Sequence, residues 1–474
     1  MVSRDVRPEA QRPSAREDLN MAHRWSVVRE RLWRAAGALL LGAALAASAA
    51  PLQAADTAPQ IPITEEVLPN GLKVLLIEAP KAPVVSVQVW YRVGTRNEVP
   101  GLTGLSHMLE HMMFKGTPTV PIKVFDRLIQ KAGGTDNAFT YQDATAYYEN
   151  LSADHLELAL RLEADRMRNM LFDEKEFTSE RDVVVEERRL RQEDDPIAAL
   201  YEVVHPAAFS AHPYANPVIG WMHDIKDMRL EDLKQHYKTY YEPNNAVLVV
   251  AGAVRPAEAL PLVRQYFGAL PRGADPPPVR ATRPPQQGER RVYLRKEAQL
   301  PYVVLAYPVP NARDADSLAL DLLETILSGG RSSRLHRSLV YEKQLALSAG
   351  AYNDRLSVDP NLFTVYASPL PGKTAEEVEK ALEAEIERVR QEPVSDQELE
   401  KAKNQNEADF VMGQDSVFNL GRTVITVDLS TTWKDFYRYI PEIRAVTAAD
   451  VQRVAQKYLV PDQRTVGILE PIKP

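Results

Sequence analysis

Between Arg272 and Gly288 the chain carries Pro276, Pro277, Pro278, Pro284 and Pro285. Proline has no backbone N–H and clashes with the preceding helical turn, so a run this dense fits neither a helix nor a central strand. Residues 272–290 therefore read as an extended proline-rich linker between near-equal halves. The halves look like copies. Leu230 to Tyr240, followed by Pro243 and a β run, matches Ala448 to Tyr458, followed by Pro461 and a β run. A strand-then-helix pattern also recurs, ending near Gly116 in the first copy and running from Tyr302 to Gly330 in the second. Self-similarity on this scale constrains the fold more than any single element, because both copies must adopt one architecture.

Within the first copy the elements follow from local chemistry. Asn70-Gly71 is a hairpin turn signal, and the mostly apolar Leu72 to Ile77 follows it. Val84 to Val93 is rich in β-branched and aromatic residues and predicts a well-buried strand. A helix from about Ile122 to Ala132 stops at Gly133-Gly134, and Thr145 to Tyr148 reads as strand. Further helices are expected over Ala153 to Met170, from near Glu174, and over Leu230 to Tyr240, the last leading into the apolar strand Asn245 to Gly252. The fold class expected is α+β, with two duplicated domains at 56–271 and 291–474, each a mostly antiparallel sheet flanked by helices.

Only one copy carries obvious chemistry. His107-Met108-Leu109-Glu110-His111 places two histidines four apart, on one helical face and one turn from each other. Both imidazoles can aim at a single point, and Glu110 can reach a water held there. Two nitrogens and a nearby carboxylate are what a catalytic zinc site asks of one helix. In the register of the duplication, His107, Glu110 and His111 fall on Asp321, Glu324 and Thr325, so the second copy keeps the scaffold without the histidines. The chain has no cysteine, which excludes disulfides, thiolate sites and cysteine nucleophiles. A metal must then be held by histidine and carboxylate. A third ligand is needed, and the helix near Glu174 offers Glu180, Glu186 and Glu187 around the apolar Val183 to Val185. An unpaired carboxylate facing a buried place is costly, which favours a ligand among them. A solvated acidic face paired with Arg181, Arg188 and Arg189 is the bland alternative.

The first 55 residues read as a leader and export signal. Arg29, Arg31 and Arg34 precede an uncharged run from Ala35 to Ala50 built around Leu39, Leu40, Leu41 and Leu45. That run is shorter than the ~20 apolar residues of a spanning helix, and small residues at Ala47-Ser48-Ala49 and Ala54-Ala55 offer cleavage points. A start at Met21 would remove a mixed-charge leader and leave a conventional signal. The expectation is an exported, periplasmic protein with no stable membrane span after signal cleavage. A net charge of −8 argues against a nucleic-acid partner.

These motifs resemble the pitrilysin-type zinc metallopeptidases, whose inverted H-x-x-E-H signature is that of the inverzincins. The similarity is to the short-chain branch that includes the mitochondrial processing peptidase β-subunit and its bacterial relatives. It rests on the inverted motif, Gly133-Gly134 with Asn137-Ala138, the Glu180 to Glu187 helix, His212-Pro213-Tyr214, the Tyr241 to Asn245 segment with Gly252, and the duplication. The resemblance implies a clamshell arrangement of the two domains and one Zn2+ per chain, with His107, His111 and Glu187 as metal ligands. Glu110 is then the catalytic base that activates a zinc-bound water. Glu180, seven residues before Glu187, is the second catalytic glutamate, orienting a ligand. The segment Asn137, Ala138, Phe139 and Thr140 becomes the substrate-binding edge strand, which takes an extended peptide by β-addition.

The expected function is zinc-dependent endopeptidase action on short or unfolded polypeptides. The alternative is a non-catalytic metal-binding or peptide-holding subunit of a two-chain assembly. One departure bears on this choice. Active relatives of this type carry an arginine and a tyrosine seven apart in the second half, and the matching positions here are Tyr341 and Ser348. A dimer is therefore expected, in the form of a heterodimer if a paralogous subunit supplies the missing pair.

Overall fold

The computed structural model describes residues 60–472. The expected leader and signal over residues 1–55, with the start at Met1 or Met21, lie outside the described residues. Among the described residues no helix is long and apolar enough to cross a membrane.

The first half builds a six-stranded sheet from β1 (Ile63–Val67), β2 (Lys73–Glu78), β3 (Val84–Tyr91), β4 (Thr135–Thr140), β5 (Thr145–Ser152) and β6 (Ala246–Gly252), in the order β1-β2-β6-β3-β5-β4. The Asn70-Gly71 turn joins β1 to β2, with Gly71 at φ +89°. All pairings are antiparallel except β2 with β6, which run parallel. The second half builds a five-stranded sheet from β7 (Arg290–Glu297), β8 (Tyr302–Val309), β9 (Ala346–Asn353), β10 (Asn361–Pro369) and β11 (Thr465–Ile472), in the order β7-β11-β8-β10-β9. Here too the one parallel pair, β7 with β11, sits at the same place in the order. Remove β1 and the two sheets have one topology, as the duplication expects. Residues 271–289 between them form no helix or strand.

All seven residues of β6 are buried, so both faces of the first sheet are covered. One face carries Val74, Leu76, Val87, Val89 and Leu248 and packs on helices of its own half, including Leu105–Met112, Leu156–Asn169 and Glu174–Arg188. The other face carries Leu75, Ile77, Trp90, Val247 and Val249. Its cover comes from the second half, through Leu420, Val424 and Ile425 of helix Val417–Ser430. The second sheet repeats the arrangement in reverse. Its face with Tyr302, Val304 and Ala306 is covered by Leu200, Val204 and Phe209 of helix Pro196–Phe209, from the first half. The halves thus exchange covering helices.

Each exchange has a glycine where helix and sheet approach closely. A Cβ on Gly421 would lie 2.6 Å from Nε2 of the buried Gln88 of β3, and one on Gly467 of β11 would lie 2.3 Å from Cγ2 of Val204. Polar contacts fix the same interface. The Tyr214 hydroxyl donates to Asp143 Oδ1 (2.6 Å) and accepts from the Asp359 N–H (3.1 Å), while Arg96 Nε donates to Asp359 Oδ2 (2.5 Å). His212 Nε2 lies 3.4 Å from the same Asp359 oxygen. The His212-Pro213-Tyr214 motif therefore works as a tie between halves.

Candidate metal centre

The motif lies on the short helix Leu105–Met112. Met108, Leu109 and Met112 face the core, which leaves His107, Glu110 and His111 along one flank. The start of this helix is pinned by several independent contacts. Gly104 takes φ +86°, and a Cβ there would meet the Ile219 carbonyl at 2.6 Å. Buried Glu98 accepts from the Gly104 and Ser106 N–H groups at 2.8 and 2.7 Å, capping the free end of the helix. Burial pushes the Glu98 carboxyl up to about 7 in spite of those bonds. Ser106 Oγ meets His236 Nε2 at 3.1 Å behind the motif.

The third donor arrives from helix Glu174–Arg188. Asp173 caps that helix by accepting from the Lys175 and Glu176 N–H groups, both at 2.9 Å. Phe177, Val184 and Val185 anchor it in the core, whereas Val183 and Glu186 face solvent. Of the three glutamates in view, Glu187 is the one with a carboxylate oxygen close to both imidazoles. Its Oε2 is 3.8 Å from His107 Nε2 and 3.4 Å from His111 Nε2. Ligands held at ~2.0–2.1 Å from a tetrahedral metal are separated by about 3.4 Å, so the group has the dimensions of a metal site. Among the described residues, these three form the one His/Asp/Glu cluster of that kind. Two neutral nitrogens and a carboxylate oxygen suit zinc in hardness and number.

Glu180 occupies the next position outward. Its Oε1 meets His111 Nδ1 at 2.8 Å, and its Oε2 is ion-paired with Lys115. The other Glu187 oxygen is held by Arg191 Nη1 at 2.9 Å. Glu186 points outward and pairs with Arg189. Lys115 and Arg191 are charged neighbours of the cluster that lie outside the H-x-x-E-H motif. Arg191 was legible in principle, since it sits four residues after Glu187, whereas Lys115 pairs with Glu180 of another helix. Glu98 gave no such signal, because its partnership with Gly104 depends on the loop between them.

The charges settle around one proton. Burial, and then His111, push His107 down to about 3. Burial also acts downward on His111, but its bonds to Glu180 and Glu187 outweigh that and raise it to about 10. Burial acts upward on Glu187, yet His111 and the surrounding positive charges hold it at about 2. Without metal the site is a neutral His107 beside a protonated His111 bracketed by two carboxylates. A metal ion there takes the place of that proton.

The four residues Asn137 to Thr140 all lie on β4, at the edge of the first sheet. The Phe139 ring meets Trp90 edge-on at 5.2 Å, on the face away from the motif helix. Ala138 is buried in the core on the helix face. Thr140 shares that face and donates from Oγ1 to Glu110 Oε2 at 2.6 Å. Asn137 is exposed and accepts from the Ala138 N–H at 2.8 Å. In the second half, Tyr341 is 76% exposed and Ser348 is an exposed residue of edge strand β9. Neither provides a cation.

Comparison with known proteins agrees with this geometry. Residues 73–221 match the family described as "Insulinase (Peptidase family M16)", and residues 227–406 match "Peptidase M16 inactive domain". A Helicobacter pylori protein named zinc protease PqqE is 34% identical over 85% of this chain and 92% of its own. The probable mitochondrial-processing peptidase subunit beta of Arabidopsis thaliana is 29% identical over 88% of this chain and 80% of its own. The crystal structure of a protease from Helicobacter pylori superposes with a TM-score of 0.84 at 33% identity, covering 87% of this chain and all of that one. The periplasmic protease PqqL of Escherichia coli shares the fold at a TM-score of 0.72 and 19% identity. Relatives named zinc proteases support zinc-dependent peptidase function. With its two matched sheets, its metal-sized cluster and these relatives, the chain belongs to peptidase family M16.

Proposed function

We propose that this chain is a zinc-dependent endopeptidase that hydrolyses peptide bonds in short or unfolded polypeptides. The observation that carries the reading is the convergence of His107, His111 and Glu187 beside Glu110. Residues 56–271 form the metal-bearing domain in this reading, 272–290 the linker, and 291–474 the copy without ligands. His107, His111 and Glu187 would hold one zinc ion, which when bound would supply Lewis acidity at this point. Glu110 would act as the general base that takes a proton from the attacking water and returns it to the leaving amine. Glu180 fixes the tautomer and tilt of His111 through Nδ1, and Lys115 keeps Glu180 ionised for that task. The peptide lies along the free edge of β4, its backbone extending the sheet past Asn137, Ala138, Phe139 and Thr140.

Tyr341 stands where the resemblance expects a substrate-binding arginine, and Ser348 where it expects the tyrosine. We infer from this that a paralogous subunit completes the site in a heterodimer. The uncharged run from Ala35 to Ala50 supports export to the periplasm for the same chain.

The test is hydrolysis of a quenched-fluorescence peptide library by wild type and Glu110→Gln, with zinc content measured on both. Wild type should cleave in a chelator-sensitive way. The variant should keep zinc and lose about 10²–10⁴-fold in rate, the range for a general base. Hydrolysis that survives the substitution would overturn the mechanism. Activity that appears only on adding the paralogue would support the two-chain reading, and activity of the chain alone would refute it.

A further inference from the structure

Thr140 is the last residue of β4, and its hydroxyl is committed to the motif helix rather than open to a ligand. Oγ1 donates to Glu110 Oε2 at 2.6 Å, within the short range of hydrogen bonds to charged acceptors. The direction of that hydroxyl is set from both sides. Thr140 pairs across the ladder with fully buried Thr145, and their hydroxyl oxygens lie 3.3 Å apart. Thr145 Oγ1 in turn donates to the Val93 carbonyl at 2.9 Å. A β-branched side chain in a strand has little freedom at χ1, so the backbone of β4 dictates where the Thr140 hydroxyl points. Alternation along the strand places Thr140 with buried Ala138 on the helix side and Phe139 on the opposite side. A peptide added at the edge of β4 pairs with its backbone, in the plane of the sheet, so the hydroxyl remains free to hold Glu110.

We propose that Thr140 is a positioning residue that locks the Glu110 carboxylate to the substrate-binding strand, so a peptide docked on β4 meets a base already aimed at it. The proposal rests on the endopeptidase reading above and adds to it the means by which docking and base are held in one frame. Two rigid elements, strand and helix, are registered to each other by one hydrogen bond beside the reacting atoms. Misplacing a general base by a fraction of an ångström is costly in rate, while the backbone pairing that binds the peptide is untouched. The signature of this role is therefore a kcat effect with little change in KM.

The experiment compares wild type, Thr140→Val and Thr140→Ser in the zinc-loaded full chain, with its paralogue present if wild type needs it. The quenched-fluorescence peptide serves as probe, and zinc content and crystal structures are obtained for each. Thr140→Val keeps the shape and removes the donor, and should lower kcat about ten- to a hundredfold with KM within about threefold. Thr140→Ser keeps the donor and should recover most of the rate. The crystal structure of Thr140→Val should show the Glu110 carboxylate turned from its wild-type orientation with zinc still bound.

Several results would overturn the proposal. They are a Thr140→Val rate within twofold of wild type, a rise in KM at unchanged kcat, or a serine variant as impaired as the valine one. An unmoved Glu110 in the Thr140→Val crystal structure would also do so, and that arm holds whether or not wild type hydrolyses peptides. Absence of hydrolysis in zinc-loaded wild type with and without the paralogue would sink the endopeptidase reading instead.

Discussion

Helix Leu105–Met112 in the first half and helix Asp316–Ser328 in the second occupy matching places. Each follows the central strand of its sheet, β3 or β8, and each packs toward the far edge strand, β4 or β9. What they carry differs. In the first, His111 meets Glu180 and Glu187 of the helix crossing it. In the second, Thr325, which stands in register with His111, accepts a hydrogen bond of 2.8 Å from Asn406 of helix Asp396–Gly413. Asp321, in register with His107, is tied down by Asn353 Nδ2 at 2.7 Å and Arg355 Nε at 2.8 Å. The second copy has kept the crossing and replaced a charged donor set with a neutral pair and an ion-paired acid. A scaffold that can present ligands is therefore separable from the ligands, and the chemistry resides in a handful of side chains.

Removing a candidate ligand in the first half and its counterpart in the second separates the two helices most clearly. His111→Ala should weaken zinc binding by more than about a hundredfold, beyond the range for outer partners. Thr325→Ala should leave zinc affinity unchanged, and calorimetric titration would measure both. Equal losses in the two would mean the second half holds part of the site. Lys115→Met removes the cation that secures Glu180 and should cost about ten- to a hundredfold in zinc affinity, the usual range for such support.

The proton on His111 gives a pH test of comparable size. Metal displaces it, and His111 is raised to about 10, so zinc affinity should climb about tenfold per pH unit from neutrality towards that value. The metal-free fold runs the other way. The raised His111 stabilises it fully below the unfolded value of 6.5, and that contribution is lost as pH rises through about 10. Thermal melts with and without zinc across this range should diverge. Parallel curves would contradict the assigned charge state.

Packing between the halves offers a smaller effect. Gly467→Ala forces a methyl against Val204 Cγ2 and should cost about 1–3 kcal/mol in denaturant unfolding. Pairing it with Val204→Ala should show a coupling that recovers part of the loss. The smallest change in zinc content and hydrolysis is expected of Glu324→Gln, the counterpart of Glu110→Gln. Burial, then Asp321 and Asp409, raise the Glu324 carboxyl to about 8, so the fold loses stability as pH rises from 4.5 towards that value. The glutamine variant should flatten this slope and leave zinc content and hydrolysis alone. A loss of hydrolysis would show that the second half contributes to the chemistry.

Much of the fold was legible because its signals are local. The β6 segment reads as buried on both faces from its unbroken apolar run, and Gly71 marks its turn by the dipeptide alone. Boundaries moved slightly. The helix expected from Ile122 to Ala132 spans Val124–Lys131, and the strand expected to Val93 ends at Tyr91. The candidate site stood out because His107 and His111 are one helical turn apart with Glu110 beside them. Choosing among Glu180, Glu186 and Glu187 was harder, since a helix with arginines on several sides does not announce its buried face. The structure separates them by burial of Val184 and Val185 against exposure of Val183. Insertion of β6 between β2 and β3, and the exchange of covering helices, had no local signal. Each depends on pairings between segments far apart in the chain, which periodicity does not report.

That exchange has a thermodynamic consequence. If either half opens, the other loses the cover from one face of its sheet, with Leu75, Ile77 and Trp90 bared on one side and Tyr302, Val304 and Ala306 on the other. Partial unfolding is then penalised from both directions, and residues 60–472 should melt in a single transition. A ligand that binds only the native state lends its binding free energy to everything that unfolds with the site. Zinc held by three side chains of the first half would thus raise the melting temperature of a sheet that contains none of them.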